Sequence, residues 1–203
     1  MIAIIDYDMG NIHSVAKAIE SFGGKVALID NGKEINKYEK ILLPGVGAFG
    51  HAMEELQKRD FINPLQEIIN EEEKPLLGIC LGLQLLFSES EEDPGIKGLQ
   101  VFKEKVQSFK NKIDKKLKIP HMGWNDIHIE KKNKVFKDIK NKDSFYFVHS
   151  YFAPYNKEYT VLKCEYGIQF TAALAYKNIY AAQFHPEKSS SAGLTIIKNF
   201  VQL

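Results

Sequence analysis

With 203 residues, 44% of them hydrophobic and 26% charged, the chain has an ordinary globular composition and enough length to bury a full core, so a disordered chain is not expected. Its 27 basic and 26 acidic residues leave a net charge of +1, and Arg59 is the only arginine, so neither a nucleic-acid surface built on guanidinium forks nor a basic membrane-binding face is indicated. Two cysteines, Cys80 and Cys164, are too few for a disulfide framework.

Taken in order, Met1-Ile2-Ala3-Ile4-Ile5-Asp6 reads as a strand, not a secretory signal, since it lacks a basic segment and a cleavage site. No apolar run approaches the roughly 20 residues that cross a bilayer. The expected compartment is the cytoplasm, where a conspicuous cysteine is more often catalytic than structural. Asn11 caps a helix predicted to run to residue 22, with Ile12, Val15, Ala16, Ile19 and Phe22 on one face. Strands are expected at 25–29 and 40–43, helices through 53–57 and 61–69, and a buried strand at Pro75-Leu76-Leu77. This alternation predicts an α/β fold whose parallel sheet is covered by helices on both faces. From about residue 98 the segments become short and β-rich, with candidates at 100–106, 125–129, 144–148, 159–165, 171–176 and 179–183. A last helix over 191–201 presents Leu194, Ile197 and Val201. The lysine-rich stretches 111–118 and 130–142 read as solvated loops. Without an internal repeat or low-complexity linker, a single domain spanning 1–203 is expected.

The most informative stretch is Gly78-Ile79-Cys80-Leu81-Gly82-Leu83-Gln84. It places a thiol on a sharp turn between a strand and a helix whose apolar face would carry Leu83, Leu85, Leu86 and Phe87, with glycines on both sides to tolerate strain. A helix N-terminus stabilises a thiolate and any oxyanion formed beside it. Such a cysteine is built to attack a carbonyl.

Gly45-Val46-Gly47-Ala48-Phe49-Gly50 matches the dinucleotide pattern G-x-G-x-x-G, but it follows the third strand and opens with Pro44. A better use is an extended segment whose Val46 or Gly47 N–H meets an oxyanion opposite the Leu81 N–H. The base for Cys80 is His185, in His185-Pro186-Glu187. In an extended segment alternate residues face the same way, so Glu187 can hold the imidazole in one tautomer. As a metal pair these two lack a clear third ligand, and no metal site is expected. Cys164 reads as a small buried hydrophobe. His13, His51 and His128 read as structural or surface residues. His121 and His149, in unusual local sequences, leave packing and function equally open.

Together, Gly78 to Gly82, Pro44-Gly45-Val46-Gly47 and Phe184-His185-Pro186-Glu187 resemble the class I, triad-type glutamine amidotransferases. Asp6-Tyr7-Asp8-Met9-Gly10-Asn11, Pro120-His121-Met122-Gly123-Trp124-Asn125 and Val148-His149-Ser150-Tyr151 narrow the resemblance to the glutaminase subunits of imidazole glycerol phosphate synthase. The resemblance covers essentially the whole chain, with Asp8 where a small residue is usual and Leu83 in place of a common methionine. It implies a three-layer fold with a central, mostly parallel sheet flanked by helices and extra antiparallel strands in the second half. It implies a Cys80-His185-Glu187 triad, oxyanion donors near Val46, Gly47 and Leu81, and L-glutamine held by Gln84, Glu92 and the backbone around His149, Ser150 and Tyr151. No cofactor is implied. The ammonia would pass to a separate (β/α)8-barrel synthase subunit in histidine biosynthesis, with Asn11, Trp124, Tyr146 and Lys188 at or near the shared surface; for Trp124 the alternative is core packing. Orientation of the peptide near Val46 would then be a natural on/off control. A paralogue serving another synthase, such as one aminating a nucleotide-sugar, would use the same chemistry. A catalytically dead scaffold is disfavoured by the intact triad.

Overall fold

The first strand, β1 (Ile2–Ile5), is apolar and buried at every position, as a strand covered on both faces must be. In the computed structural model, which describes residues 1–72 and 74–203, Ile2 and Ile4 join one hydrophobic cluster while Ala3 and Ile5 join another on the opposite face. The same alternation runs through β3 (Lys40–Leu43) and β4 (Leu76–Ile79). Against the first face lie α1 (Ile12–Glu20), through Val15, Ala18 and Ile19, and α5 (Ser190–Val201). Against the second lie α2 (Phe49–Lys58) and α3 (Ile62–Glu71).

Among the described residues, nine strands form one sheet and three another. The large sheet runs β2 (Val26–Ile29), β1, β3, β4, β12 (Ile179–Ala182), β11 (Gln169–Tyr176), β10 (Thr160–Glu165), β7 (His121–Ile129), β8 (Ser144–His149). From β2 to β12 neighbours are parallel; from β12 to β8 they are antiparallel. The fold thus joins the expected parallel first half to the expected antiparallel second half, and β12 is the seam. The small sheet holds β5 (Phe87–Ser90), β6 (Phe102–Ser108) and β9 (Tyr151–Phe152). No helix among the described residues is long and apolar enough to cross a membrane.

Three local expectations change. The helix after Cys80, α4, ends at Gln84 (Leu81–Gln84), and Phe87 belongs to β5, where it pairs with Phe102. Stacking of Phe87, Phe102 and Tyr159 rewards the strand, with ring centroids 5.0 Å apart for the first pair. The buried stripe of α5 is Gly193, Ile196, Ile197 and Phe200, leaving Leu194 and Val201 at its margin. Finally, Pro186–Lys188 is a 3-10 turn instead of an extended segment, with proline at its first position, where a missing N–H costs nothing.

Candidate active site

The carboxyl ends of three adjacent parallel strands converge on one point. β3 ends at Leu43 and leads into the Pro44 to Gly47 segment, β4 leads into Cys80, and β12 leads through Gln183 to His185. Open α/β sheets place their ligands at such ends. Cys80 makes the turn itself, at φ 54° and ψ −106°, a backbone conformation that costs a non-glycine residue about 1–3 kcal/mol. Its N–H donates to the Ala182 carbonyl at 2.7 Å, which ties the turn to β12. Gly82 is required by space, since a Cβ there would lie 2.0 Å from the Leu43 carbonyl oxygen.

The expected base, His185, lines the same cavity as Cys80. His185 Nδ1–H donates to Glu187 Oε1 at 2.9 Å, and the two side chains are only 3% and 1% exposed. The 3-10 turn makes this contact. Among the described residues four buried side-chain polar atoms lack a hydrogen-bond partner, and two of them, His185 Nε2 and Glu187 Oε2, belong to this pair. Nε2 makes no complete hydrogen bond to Cys80, yet the sulfur acts on the ring electrostatically. Burial pushes the imidazole towards its neutral form, but Cys80 and Glu187 together outweigh it and raise the pKa to about 9. Gln183, fully buried, brings Nε2 to 3.8 Å from Cys80 Sγ and accepts a hydrogen bond from Gln84 Nε2 at 3.0 Å.

Around Cys80 and His185 is a cavity of about 310 Å³, at the small end for ligand pockets. Val46, Gly47, Leu81, Gln84, Glu92, His149, Ser150 and Tyr151 all line it, so every residue expected around the substrate is brought together; Pro120 and Val148 line it as well. Gln84 Nε2 donates to the Tyr151 carbonyl at 2.9 Å. Glu92 accepts the Phe49 N–H at 2.9 Å at the start of α2; burial raises its carboxyl pKa, against the pull of that N–H.

One expectation needs correction. The Leu81 N–H is not free to meet an oxyanion, because it donates to the Gly45 carbonyl at 3.2 Å. The Gly45–Val46 peptide therefore turns its oxygen towards the Leu81 N–H, occupying that donor. Only glycine fits at 45, where a Cβ would lie 2.4 Å from the Tyr7 hydroxyl and 2.9 Å from Leu81 Cβ. Tyr7 in turn donates to the Pro44 carbonyl at 2.7 Å.

Beyond the pocket, Asn11 and Tyr146 are partly exposed and Lys188 is exposed. Trp124 is 54% exposed, which overturns core packing for that residue; it meets the Tyr146 ring at 6.2 Å. Asn11 precedes α1 but its side chain makes no cap hydrogen bond. Asp8, at φ 61°, is ion-paired with Arg59. Cys164 is buried in β10, as expected, and burial pushes its thiol up to about 12. His13, His51 and His128 are exposed. The sequence alone assigns no role to Tyr7, Gln183 or Ser189, the last of which donates its hydroxyl to the His185 carbonyl at 2.6 Å and accepts the Tyr146 N–H. A glutamine ending the otherwise apolar run 179–183 was the available signal for Gln183.

A thiol on a strained turn, an imidazole fixed by a carboxylate and a pocket of amino-acid size define an acyl-transfer site on an α/β fold. The chain belongs to the class-I glutamine amidotransferases, whose family model matches residues 3–203, and it is an enzyme of that class. Within that family it falls among the imidazole glycerol phosphate synthase HisH subunits. HisH 1 of Campylobacter jejuni subsp. jejuni serotype O:23/36 is 44% identical over 203 residues, and HisH of Methanocaldococcus jannaschii 48% identical over 206, each match covering the whole of both chains. Among solved structures, a crystal structure of a glutamine amidotransferase has a TM-score of 0.76 at 14% identity, covering all of both chains. The structure of PurLQS from Thermotoga maritima has a TM-score of 0.72 at 16% identity, covering 99% of this chain and 97% of that one. At such identities the likeness is one of fold.

Proposed function

We propose that this chain, acting as one domain, is the glutaminase subunit of a cytoplasmic two-subunit imidazole glycerol phosphate synthase. It hydrolyses L-glutamine to glutamate and ammonia, and the ammonia passes to a (β/α)8-barrel partner in histidine biosynthesis. The observation that carries the chemistry is the buried His185–Glu187 pair beside Cys80 in one small cavity.

Gln84, Glu92 and the backbone at His149, Ser150 and Tyr151 hold the amino-acid end of glutamine. The Cys80 thiolate adds to the side-chain carboxamide carbon, and the carbonyl oxygen takes the negative charge. His185 gives its proton to the departing nitrogen, ammonia leaves, and a thioester to glutamate remains. His185 then takes a proton from water as the water attacks the thioester, releasing glutamate and regenerating the thiolate–imidazolium pair. For the first step the Gly45–Val46 peptide turns over, so that the Val46 N–H replaces the Gly45 oxygen opposite Leu81. Each oxyanion donor so gained is worth about 10²–10³ in rate.

Asn11, Trp124, Tyr146 and Lys188 contribute to the partner surface. The exposed pair Met122 and Trp124, 60% and 54% exposed on the outward face of β7, supports this reading, as does Asp8, whose side chain is 76% exposed and ion-paired with the partly buried Arg59. The test is co-purification with the barrel subunit and measurement of glutamate release with and without its ribonucleotide substrate. Release dependent on the partner and stimulated by the ribonucleotide is expected. Failure to form the complex, or partner-dependent amination of a nucleotide-sugar, would overturn the assignment to this synthase, and full turnover by Cys80→Ala the chemistry.

A further inference from the structure

The glutaminase chemistry leaves two buried imidazoles unused. His121 at the start of β7 and His149 at the end of β8 are cross-strand partners, 3% and 6% exposed, with His121 Nδ1 2.9 Å from His149 Nε2. At the outer end, Asn125 Nδ2 lies 3.0 Å from the Glu165 carbonyl and 3.1 Å from His121 Nε2, while its Oδ1 accepts the Asp126 N–H at 2.8 Å. An amide nitrogen only donates, so His121 Nε2 accepts. At the inner end, His149 Nδ1 lies 2.8 Å from the Tyr151 carbonyl, which only accepts, so His149 Nδ1 carries the hydrogen. The two ends force the middle. His121 Nδ1–H donates to His149 Nε2, and both rings are neutral in the Nδ1–H form.

A second proton on either ring would set donor against donor. Burial acts in the same direction, pulling His121 down to about 4 and His149, which also faces His121, down to about 3. The His121 ring plane is held by stacking on Phe147 and Tyr166, with centroids at 4.8 and 4.1 Å. The chain of bonds ends on the Tyr151 carbonyl, the same oxygen that takes the Gln84 side chain. Two donors on one oxygen fix the corner at Ser150 between β8 and β9, which lines the Cys80 cavity.

We propose that His121 and His149 are positioning residues: a pair locked in one tautomer that holds the Ser150–Tyr151 corner in the shape that receives the amino-acid end of glutamine. The substrate in this statement rests on the glutaminase reading; the tautomers do not. Polar networks of this kind rigidify a site only when every member is satisfied, and this one is satisfied at each nitrogen.

Two measurements test it. In a long-range proton–nitrogen correlation spectrum of the chain labelled with ¹⁵N-histidine, at pH 7, both rings are expected as the Nδ1–H tautomer, the minor one for histidine in water. Either ring as Nε2–H, or protonated, overturns the proposal. In the co-purified two-subunit complex, His121→Gln removes the donor at Nδ1 and is expected to raise the KM for glutamine about tenfold, with kcat and the rate of Cys80 alkylation by iodoacetamide within threefold of the parent. His121→Asn keeps a donor where Nδ1 lies and is expected to hold KM within threefold. Equal KM for the two variants, or a loss in kcat and alkylation in place of KM, overturns it. If His121→Gln does not fold, the parent spectrum decides. A parent complex that releases no glutamate overturns the glutaminase reading, and the spectrum then decides the pair alone.

Discussion

Replacing Glu187 with glutamine removes the charge from the Nδ1 side of His185 while leaving an oxygen to accept its hydrogen. In the parent the imidazole pKa is raised from 6.5 to about 9. At about 1.4 kcal/mol for each tenfold change in proton affinity, that gap stores about 3 kcal/mol in the folded protein. Cys80 and Glu187 share it against burial, and a hydrogen bond to a charged group is worth about 1.5–3 kcal/mol, so about 2 kcal/mol is assigned to Glu187. Because the folded-state pKa is raised, this stabilisation is fully present below pH 6.5 and is lost as pH rises through about 9. Glu187→Gln is therefore expected to unfold about 2 kcal/mol more easily than the parent at pH 6.5, with the gap closing above about pH 9. The same loss of imidazolium stabilisation lowers kcat/KM for glutamine about 30-fold. Urea unfolding of both proteins from pH 6 to 10, with glutamate release by the complex, reads both quantities. A stability gap constant across that range, or kcat/KM within threefold of the parent, would refute the reasoning.

Cys80→Ala is expected to abolish glutamate release and, by removing the partner that helps hold the His185 proton, to lower the His185 pKa, which an imidazole NMR titration reads. Tyr7→Phe leaves the buried Pro44 carbonyl without its donor and is expected to cost about 1–3 kcal/mol in urea unfolding. Gly45→Ala forces a Cβ into the Tyr7 hydroxyl and Leu81, and should destabilise by about 1–3 kcal/mol; an unchanged unfolding midpoint would show that the segment relaxes freely. Since the pKa of His121 is lowered to about 4, the unfolded chain takes up protons first as pH falls below 6.5. The resulting loss of stability, about 3 kcal/mol complete by about pH 4, should be missing in His121→Asn and is checked by urea unfolding of both between pH 7 and 4.

The gathering of Cys80, His185 and Glu187 beside one cavity was legible because chemistry demands particular residue types beside particular backbone shapes: glycines around Cys80, and an imidazole two residues from a carboxylate. The parallel half of the sheet was legible because strands buried on both faces are apolar throughout, as Ile2–Ile5 is. What escaped was decided by partners distant in the chain. Phe87 looked helical in the run Leu83 to Phe87, and it is pairing with Phe102 and the ring of Tyr159 that make it a strand. Leu81 was expected to offer its N–H to the substrate, and only the fold reveals that Gly45 takes it. The contact between His185 and Glu187 was anticipated, but from an extended segment; a 3-10 turn beginning at Pro186 makes it instead.

The hydrogen bond from Leu81 to Gly45 also divides the reagents that Cys80 can meet into two kinds. Displacement at a saturated carbon leaves no charged oxygen behind, so an alkyl halide asks only for a nucleophilic sulfur beside His185. Addition to an amide builds an alkoxide, and the donor that would steady it is already committed to the protein's own carbonyl. In this form Cys80 is set to discriminate by electrophile geometry, because alkylation calls on the sulfur alone whereas amide addition also calls on the Leu81 N–H that Gly45 holds. Under the proposed function, turning the Gly45–Val46 peptide would free the Leu81 N–H and open the amide reaction, while a small alkylating agent that reaches the buried sulfur would need no such turn.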